Sequence, residues 1–307
     1  MSKHASPTLE RDHGWRVWWQ LTRPHTLTAG FVPVFLGTAL ALHYATFNFL
    51  LFLAMLIASL LIQAATNMFN EYYDYKRGLD NEHSVGIGGA IVRNGVQPKT
   101  VLKLAFIFFG IAILLGVYIC INTTWWIAVI GAICMLVAYF YTGGPYPIAY
   151  TPFGEFLSGF FMGVIIVLIS FYIQVGKITT SSVLISIPIM ILIGAIMLSN
   201  NIRDLDGDKE NGRKTVAILI GRKKAIYLLA TMFAISYVWI IAFILFGGAT
   251  PWLLLIFISI PKPIRAVKGF IGKTEPIQML PAMKATAQTN TFFGLLLSIG
   301  LVISYFF

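Results

Sequence analysis

The sequence has little charge. Only 11% of its 307 residues are Asp, Glu, Lys or Arg, less than half of the roughly 25% found in soluble domains. Acidic residues are especially scarce, 12 in all, so each one that falls beside an apolar run invites an explanation. Cysteine is nearly absent. Cys120 and Cys134 show neither the spacing of a metal site nor a disulfide framework, and they read as small buried hydrophobes. No short apolar region with a cleavage site precedes the first long apolar run, so no cleaved signal peptide is expected. No low-complexity segment or long linker divides the chain.

What is abundant is apolar: 58% of the residues, with 24 Phe and 27 Gly. This fits helices packed closely in lipid. Uncharged apolar runs of about 18 residues or more are long enough to cross a bilayer. They predict nine spans, at 26–43, 49–72, 101–120, 125–141, 154–174, 183–201, 224–246, 251–270 and 288–306. The eighth is interrupted by Pro261 and Pro263, tolerable where neighbours satisfy the freed carbonyls. Residues 1–24 form a polar segment whose Trp15, Trp18 and Trp19 suit an interfacial helix leading into the first span. A single membrane domain, 1–307, is the simplest organisation.

The net charge of +10 would by itself admit nucleic acid as a partner, but its distribution excludes that reading. Of the 22 Lys and Arg, all but Lys177 fall before span 1, in the stretches that follow spans 2 and 6, or in the second half of span 8 and the stretch after it. The positive-inside rule then places the N-terminus and the even-span exits in the cytoplasm and the C-terminus outside. The charge is thus a topology signal and a surface facing anionic lipid.

Two stretches organise the rest: Asn70-Glu71-Tyr72-Tyr73-Asp74-Tyr75-Lys76-Arg77-Gly78-Leu79-Asp80 after span 2, and Asn200-Asn201-Ile202-Arg203-Asp204-Leu205-Asp206-Gly207-Asp208 after span 6. Helical i, i+4 spacing places Asn70 and Asp74 on one face, and Asn200, Asp204 and Asp208 on another. These are hard oxygen donors of the kind Mg²⁺ takes. Four crossings separate them, so both emerge on the cytoplasmic side, as two halves of a parallel repeat. An ionisable group at a helix centre costs about 2.5–3.5 kcal/mol on insertion scales, and paired acidic clusters at span ends point to function.

The paired motifs resemble those of the UbiA-type intramembrane aromatic prenyltransferases, which carry Asn/Asp-xxx-Asp-xxx-Asp after spans 2 and 6. Asn200, Asp204 and Asp208 fit the second motif in full. In the first, Asn70 and Asp74 fit, but the third position is Gly78, with Asp80 two residues later as a weaker third ligand. The Gly-x-Asp ending, Tyr141-Thr142-Gly143-Gly144-Pro145-Tyr146-Pro147 and Asn201-Ile202-Arg203-Asp204 are most similar to the branch acting on 1,4-dihydroxy-2-naphthoate in menaquinone synthesis. The resemblance implies an all-α integral membrane fold, with nine helices in two parallel-repeat halves around a cytoplasm-facing cavity.

It also implies a reaction. A polyprenyl diphosphate is held through Mg²⁺ by the two clusters, diphosphate leaves, and the ring of the acceptor attacks the allylic cation. With a naphthoate acceptor CO₂ is lost and demethylmenaquinone results. Asp74, Asp204 and Asp208 are the implied catalytic carboxylates. Candidate diphosphate-binding cations adjoin them: Lys76, Arg77, Lys209, Arg213 and Lys214. Tyr139 and Tyr141, which resemble the family's aromatic residues at the close of span 4, offer π-faces to the cation, as Tyr72 and Tyr73 do by depth. Arg23, in Leu-Thr-Arg-Pro-His, resembles the family's arginine at span 1 and would hold the acceptor's carboxylate. Asn67, three residues before Asn70, shares the active face. His25 reads as structural, and Gly86–Gly89 followed by Arg93 as a turn or a cover over the site.

Two rivals stand beside this reading. One is another acceptor, such as 4-hydroxybenzoate. The other is a secondary transporter or divalent-cation carrier, whose sites lie near the bilayer midplane on broken helices.

Overall fold

A computed structural model describes residues 14–79 and 89–307. The described residues are helical or irregular, with no strand among them. Asp80 and residues 86–88 of the glycine-rich segment lie outside them.

The chain opens with α1 (Trp15–Leu21), which buries Val17 and Leu21 and leaves Trp15, Trp18 and Trp19 exposed, the disposition of a helix lying at an interface. There follow α2 (Thr28–Ala41), α3 (Phe49–Lys76), α4 (Pro98–Asn122) and α5 (Trp126–Phe140). The next stretch is one continuous rod in three parts: α6 (Gly154–Ser158), a π-helical segment Gly159–Ile165, and α7 (Ile166–Val175). Then come α8 (Thr180–Arg203), the short α9 (Leu205–Glu210) and α10 (Val216–Ile220), and α11 (Arg222–Leu245). A 3₁₀ segment Pro251–Ser259, α12 (Pro261–Phe270) and α13 (Pro276–Phe306) complete the chain.

Six of these stretches are long and apolar enough to cross a membrane: α3, α4, Gly154–Val175, α8, α11 and α13. The helices α2 and α5 are apolar but shorter. The eighth expected span is not one helix. Its first half is 3₁₀, and Pro261 opens α12 at the N1 position, where a missing N–H costs nothing. The last helix starts at Pro276, twelve residues before the apolar run, because polar residues such as Gln278 and Lys284 are compatible with helix although they lower hydropathy.

The larger core joins α2, α7, α8, α11, α12 and α13 around Phe171, Ile189, Leu192, Phe233, Phe270 and Phe293. Its counterpart has two parts strung along α3. One end packs Met68 and Phe69 against α1 and α4, and the other packs Leu51, Ala54 and Met55 against α2, α4, α5 and α7. The outer faces of α4 and α5 expose Ile113, Leu114, Ile121 and Trp126. In water such a face would be a liability, but in lipid it is the expected boundary.

Gly159 and Gly163 set a close contact between this rod and α8. A Cβ on Gly163 would lie 2.5 Å from the Cα and 2.6 Å from the N of Met190 in α8. This is the small-xxx-small device of membrane helices, and it occurs on the π-helical segment, a distortion frequent near functional sites. It brings the start of α6 beside the end of α8. The Gly163→Val variant should therefore lose about 1–3 kcal/mol of stability, the usual cost of overpacking. Gly110→Val, where a Cβ meets nothing within 4 Å, should change little. Thermal melting of both variants in one detergent measures the difference.

Candidate active site

The first motif occupies the last two turns of α3. The helix ends in a Schellman turn: Leu79 N–H donates to the Asp74 carbonyl at 2.9 Å and Gly78 N–H to the Tyr75 carbonyl at 3.0 Å, with Gly78 left-handed at φ 73°. That position favours glycine. The departure from the motif at its third position therefore has a conformational reason: Gly78 ends the helix, so the face carrying Asn70 and Asp74 does not continue to it.

The second motif departs from one continuous helix. The helix α8 stops at Arg203, Asp204 is the junction residue (φ −89°, ψ 5°), and α9 begins at Leu205. The four-residue ladder survives the bend, with Asp204 N–H donating to the Asn200 carbonyl at 3.0 Å and Asp208 N–H to the Asp204 carbonyl at 2.8 Å. The three residues stay one turn apart, but their surroundings differ. Asp208 is buried, whereas the Asp204 side chain is about a third exposed.

The two motifs meet across one guanidinium. Arg213 Nη2 lies 2.9 Å from Asp74 Oδ1, and Arg213 Nη1 lies 3.1 Å from Asp208 Oδ1. Asp204 is held by Arg203, which donates through Nε at 2.6 Å and through Nη2 in a forked pair. Burial raises the Asp208 carboxyl to about 6; Arg213 opposes this, while the charges of Asp204 and Asp74 add to it. For Arg213, burial alone would lower the value, but Asp74 and Asp208 hold the guanidinium above its ordinary range.

A ring of aromatic and loop contacts fixes this ion cluster. Tyr150 lies under both guanidinia, its centroid 5.0 Å from Arg213 Cζ and 5.6 Å from Arg77 Cζ. Arg77 also donates to the carbonyls of Thr142 and, at 2.7 Å, Gly144, and so ties the turn after α5 to the end of α3. Thr142 Oγ1 donates to Asn70 Oδ1 at 2.7 Å. Arg77 is thereby largely committed within the protein. Lys76, Lys209 and Lys214 are exposed on the rim and enter none of the ion pairs found among the described residues.

Tyr139 and Tyr141 do not form a common wall, because residues two apart on a helix face different ways. Tyr139 packs on Phe69 with centroids 5.2 Å apart and shares a 2.6 Å hydroxyl contact with Tyr73. Tyr141, at the end of α5, turns to α6, where its hydroxyl would lie 3.2 Å from a Cβ on Gly154. Asn200 is half-buried beside Asn201, whose Nδ2 donates to Glu155 Oε1 at 2.9 Å.

A second polar cluster lies at the start of α2. Arg23 is the one non-glycine residue with positive φ (50°) among the described residues, a strained conformation of the kind that gathers at functional sites. Its carbonyl accepts from Thr26 N–H at 2.8 Å and Thr26 Oγ1 at 2.9 Å. Its guanidinium lies 3.4 Å from Glu71 Oε2. Glu71 is almost fully buried, and its Oε1 accepts from the N–H groups of Gly89 at 2.7 Å and Ile91 at 3.3 Å. Asn67 spends its amide on the Thr22 carbonyl at 2.8 Å and Thr26 Oγ1 at 2.9 Å, so it shapes the Arg23 turn. Burial, then Arg23 and Arg203, lower His25 to about 4, which keeps that ring neutral at pH 7.

Glu71, Thr142 and Tyr150 received no role from the sequence. Glu71 had a signal, a carboxylate within an apolar helix and four residues from Asn67. Tyr150 had none, since its place depends on how residues 143–150 curl back.

The donors suit Mg²⁺ with a phosphate ligand. Among the described residues no three acidic, His or Cys groups converge into a self-sufficient metal cage. Mg²⁺, however, is commonly held by one or two carboxylates with substrate phosphates and water. Asp208 Oδ2 is buried without a hydrogen-bond partner.

Comparison with known proteins identifies the family and the fold. Residues 30–271 match the sequence profile of the UbiA prenyltransferase family. The chain is 63% identical over 291 residues to a protein of Bacillus subtilis (strain 168) named 1,4-dihydroxy-2-naphthoate octaprenyltransferase, covering 95% of this chain and 94% of that one. It is 27% identical to the human UbiA prenyltransferase domain-containing protein 1, over 92% of this chain and 82% of the relative. Among solved structures, the apo UbiA homologue of Aeropyrum pernix K1 superposes with a TM-score of 0.68 at 15% identity, over 91% of this chain and 98% of that one. The Archaeoglobus fulgidus homologue bound to DMAPP and Mg²⁺ gives 0.61 at 14% identity, over 92% and 99%. By profile and by identity over nearly its whole length, the chain belongs to the UbiA prenyltransferase family.

Proposed function

We propose that the chain is a membrane prenyltransferase that moves a polyprenyl group from its diphosphate to 1,4-dihydroxy-2-naphthoate, releasing diphosphate and CO₂. The observation that carries this reading is the junction of Asp74 and Asp208, from the two motifs, on Arg213. The near full-length identity to a naphthoate prenyltransferase favours naphthoate over 4-hydroxybenzoate as acceptor. Clusters at helix ends rather than at the midplane speak against a transporter.

On this reading the nine apolar stretches cross the membrane, the N-terminus and the cavity face the cytoplasm, and the C-terminus lies outside. The distribution of Lys and Arg supports that orientation. Asn70, Asp74, Asn200, Asp204 and Asp208 hold Mg²⁺, directly or through water, and Asp80 is a further candidate. When bound, Mg²⁺ neutralises charge building on the diphosphate. Arg213 holds Asp74 and Asp208 in place from the protein side. The rim cations Lys76, Lys209 and Lys214 attract the diphosphate, and Arg77 keeps the loop over it closed.

The reaction balances without an outside oxidant or reductant. The allylic C–O bond breaks and its electron pair leaves on the diphosphate. The ring carbon bearing the carboxylate forms the new C–C bond. The C–CO₂ bond then breaks, and its pair restores the aromatic ring, giving the quinol form of demethylmenaquinone. Apolar walls exclude water that would trap the cation, and tyrosine faces such as those of Tyr72, Tyr73, Tyr139 and Tyr141 stabilise positive charge. Arg23 holds the acceptor's carboxylate, in partial exchange for Glu71.

Purified protein with labelled farnesyl diphosphate, Mg²⁺ and carboxyl-labelled naphthoate should release one CO₂ per prenylated product. Product from 4-hydroxybenzoate alone would replace the acceptor assignment, and no prenylated product from any aromatic acid would overturn the reading. Chelation by EDTA should stop turnover and added Mg²⁺ restore it. Asp74→Ala and Asp204→Ala should each lower kcat a hundredfold or more, the scale of losing one transition-state charge contact, with unchanged elution on size exclusion. Arg23→Ala should raise KM for the acceptor well above any change for the diphosphate; equal shifts would refute its role.

A further inference from the structure

The helix α12, Pro-Lys-Pro-Ile-Arg-Ala-Val-Lys-Gly-Phe, carries Lys262, Arg265 and Lys268 and no acidic residue. It buries Pro263, Ala266 and Phe270 against the protein. The opposite side presents Arg265, Lys268 and the half-exposed Ile264, with Ile271 exposed just beyond. A depression of about 570 Å³ is lined by Pro261, Ile264, Arg265, Lys268 and Gly269. Gly269 sits close to α13, where a Cβ would lie 2.7 Å from Ala282 Cβ.

The three cations differ in how they are engaged. Lys262 Nζ lies 3.2 Å from Gln288 Oε1 and 4.8 Å from the Phe292 centroid. Arg265 and Lys268 take part in no ion pair among the described residues. The nearest acid along the chain, Glu275, accepts instead from Gln278 Nε2 at 3.0 Å. These two cations are also not part of the ion cluster around Asp74 and Asp208.

We propose that this face of α12 is a binding site for the phosphate headgroup of an anionic phospholipid. Charge complementarity supplies the attraction: two unpaired cations, one helical turn apart, face outward beside a hollow. The chemistry of the flanks selects a lipid over a soluble anion. Ile264 and Ile271 are exposed next to the cations, which is unfavourable in water but natural where headgroup meets acyl chain. Long basic side chains reach the phosphate level while their stems lie on apolar surface. On the proposed topology the eighth stretch runs from the apolar segment Pro251–Ser259 through α12, so the end of α12 lies where the chain leaves hydrocarbon on the cytoplasmic side. Clusters of Lys and Arg in that position attract anionic headgroups.

The test is native mass spectrometry of the delipidated full chain with equimolar phosphatidylglycerol and phosphatidylcholine. The wild type should retain phosphatidylglycerol preferentially. Arg265→Gln combined with Lys268→Gln should weaken that retention roughly tenfold or more. The control Lys223→Gln with Lys224→Gln removes the same charge from exposed positions at the start of α11 and should leave retention near wild type. Equal losses in both double variants would show attraction by net charge alone and overturn the site. So would a wild type without preference between the lipids. Displacement of phosphatidylglycerol by millimolar inorganic phosphate would assign the face to a soluble anion and overturn the lipid assignment.

Discussion

A guanidinium shared by two carboxylates holds this molecule's working end together. Arg213 reaches Asp74 at the end of α3, 139 residues away in the chain, and Asp208 in the neighbouring α9. Buried charges are tolerable only when paired, and removing one partner leaves the other uncompensated. The junction is therefore both a structural clasp and a statement of need. The three motif carboxylates repel one another, and Arg213, Arg203, Arg77 and Arg23 lie near enough to oppose that repulsion. Carboxylate and diphosphate oxygens would still meet as like charges, and a bound divalent cation would offset that repulsion.

Around the clasp the protein is arranged to limit motion. Tyr150 lies beneath Arg213 and Arg77, and Arg77 binds the carbonyls that follow α5. Glu71 joins Arg23 to the backbone at Gly89 and Ile91. One buried carboxylate thus links the entry of α2, the end of α3 and the start of the segment before α4. The strained backbone at Arg23 persists because Thr26 and Asn67 hold the turn on both sides. Behind these loops, the glycine contact of the π-helical segment with Met190 brings Glu155 to Asn201 and sets the depth at which the second motif emerges.

The outer surface answers to a different solvent. Large apolar side chains on α4 and α5 face outward, while cations gather on α12 and the rim. One end of the molecule is therefore matched to hydrocarbon and its boundary to phosphate, which suits an enzyme whose donor substrate has both parts.

Hydropathy alone was enough to find the apolar stretches and to place the two motifs at their ends, because lipid demands long uncharged runs and tolerates carboxylates mainly at their edges. Four-residue spacing was enough to pair Asn70 with Asp74 and Asn200 with Asp204, since a helix makes that spacing a face. The interruption at Pro261 was legible from its prolines, but the break at Asp204 and the early start of α13 were not, because they depend on packing and polar helix positions that hydropathy does not score. Nor were the partners of the motif residues. That Arg213 would clasp Asp74, that Thr142 would bond Asn70, or that Tyr150 would support two arginines follows from how residues 143–150 and 211–215 fold back over the helix ends. Sequence order constrains contacts between neighbours on one helix; contacts between distant loops exist only once the helices have chosen their neighbours.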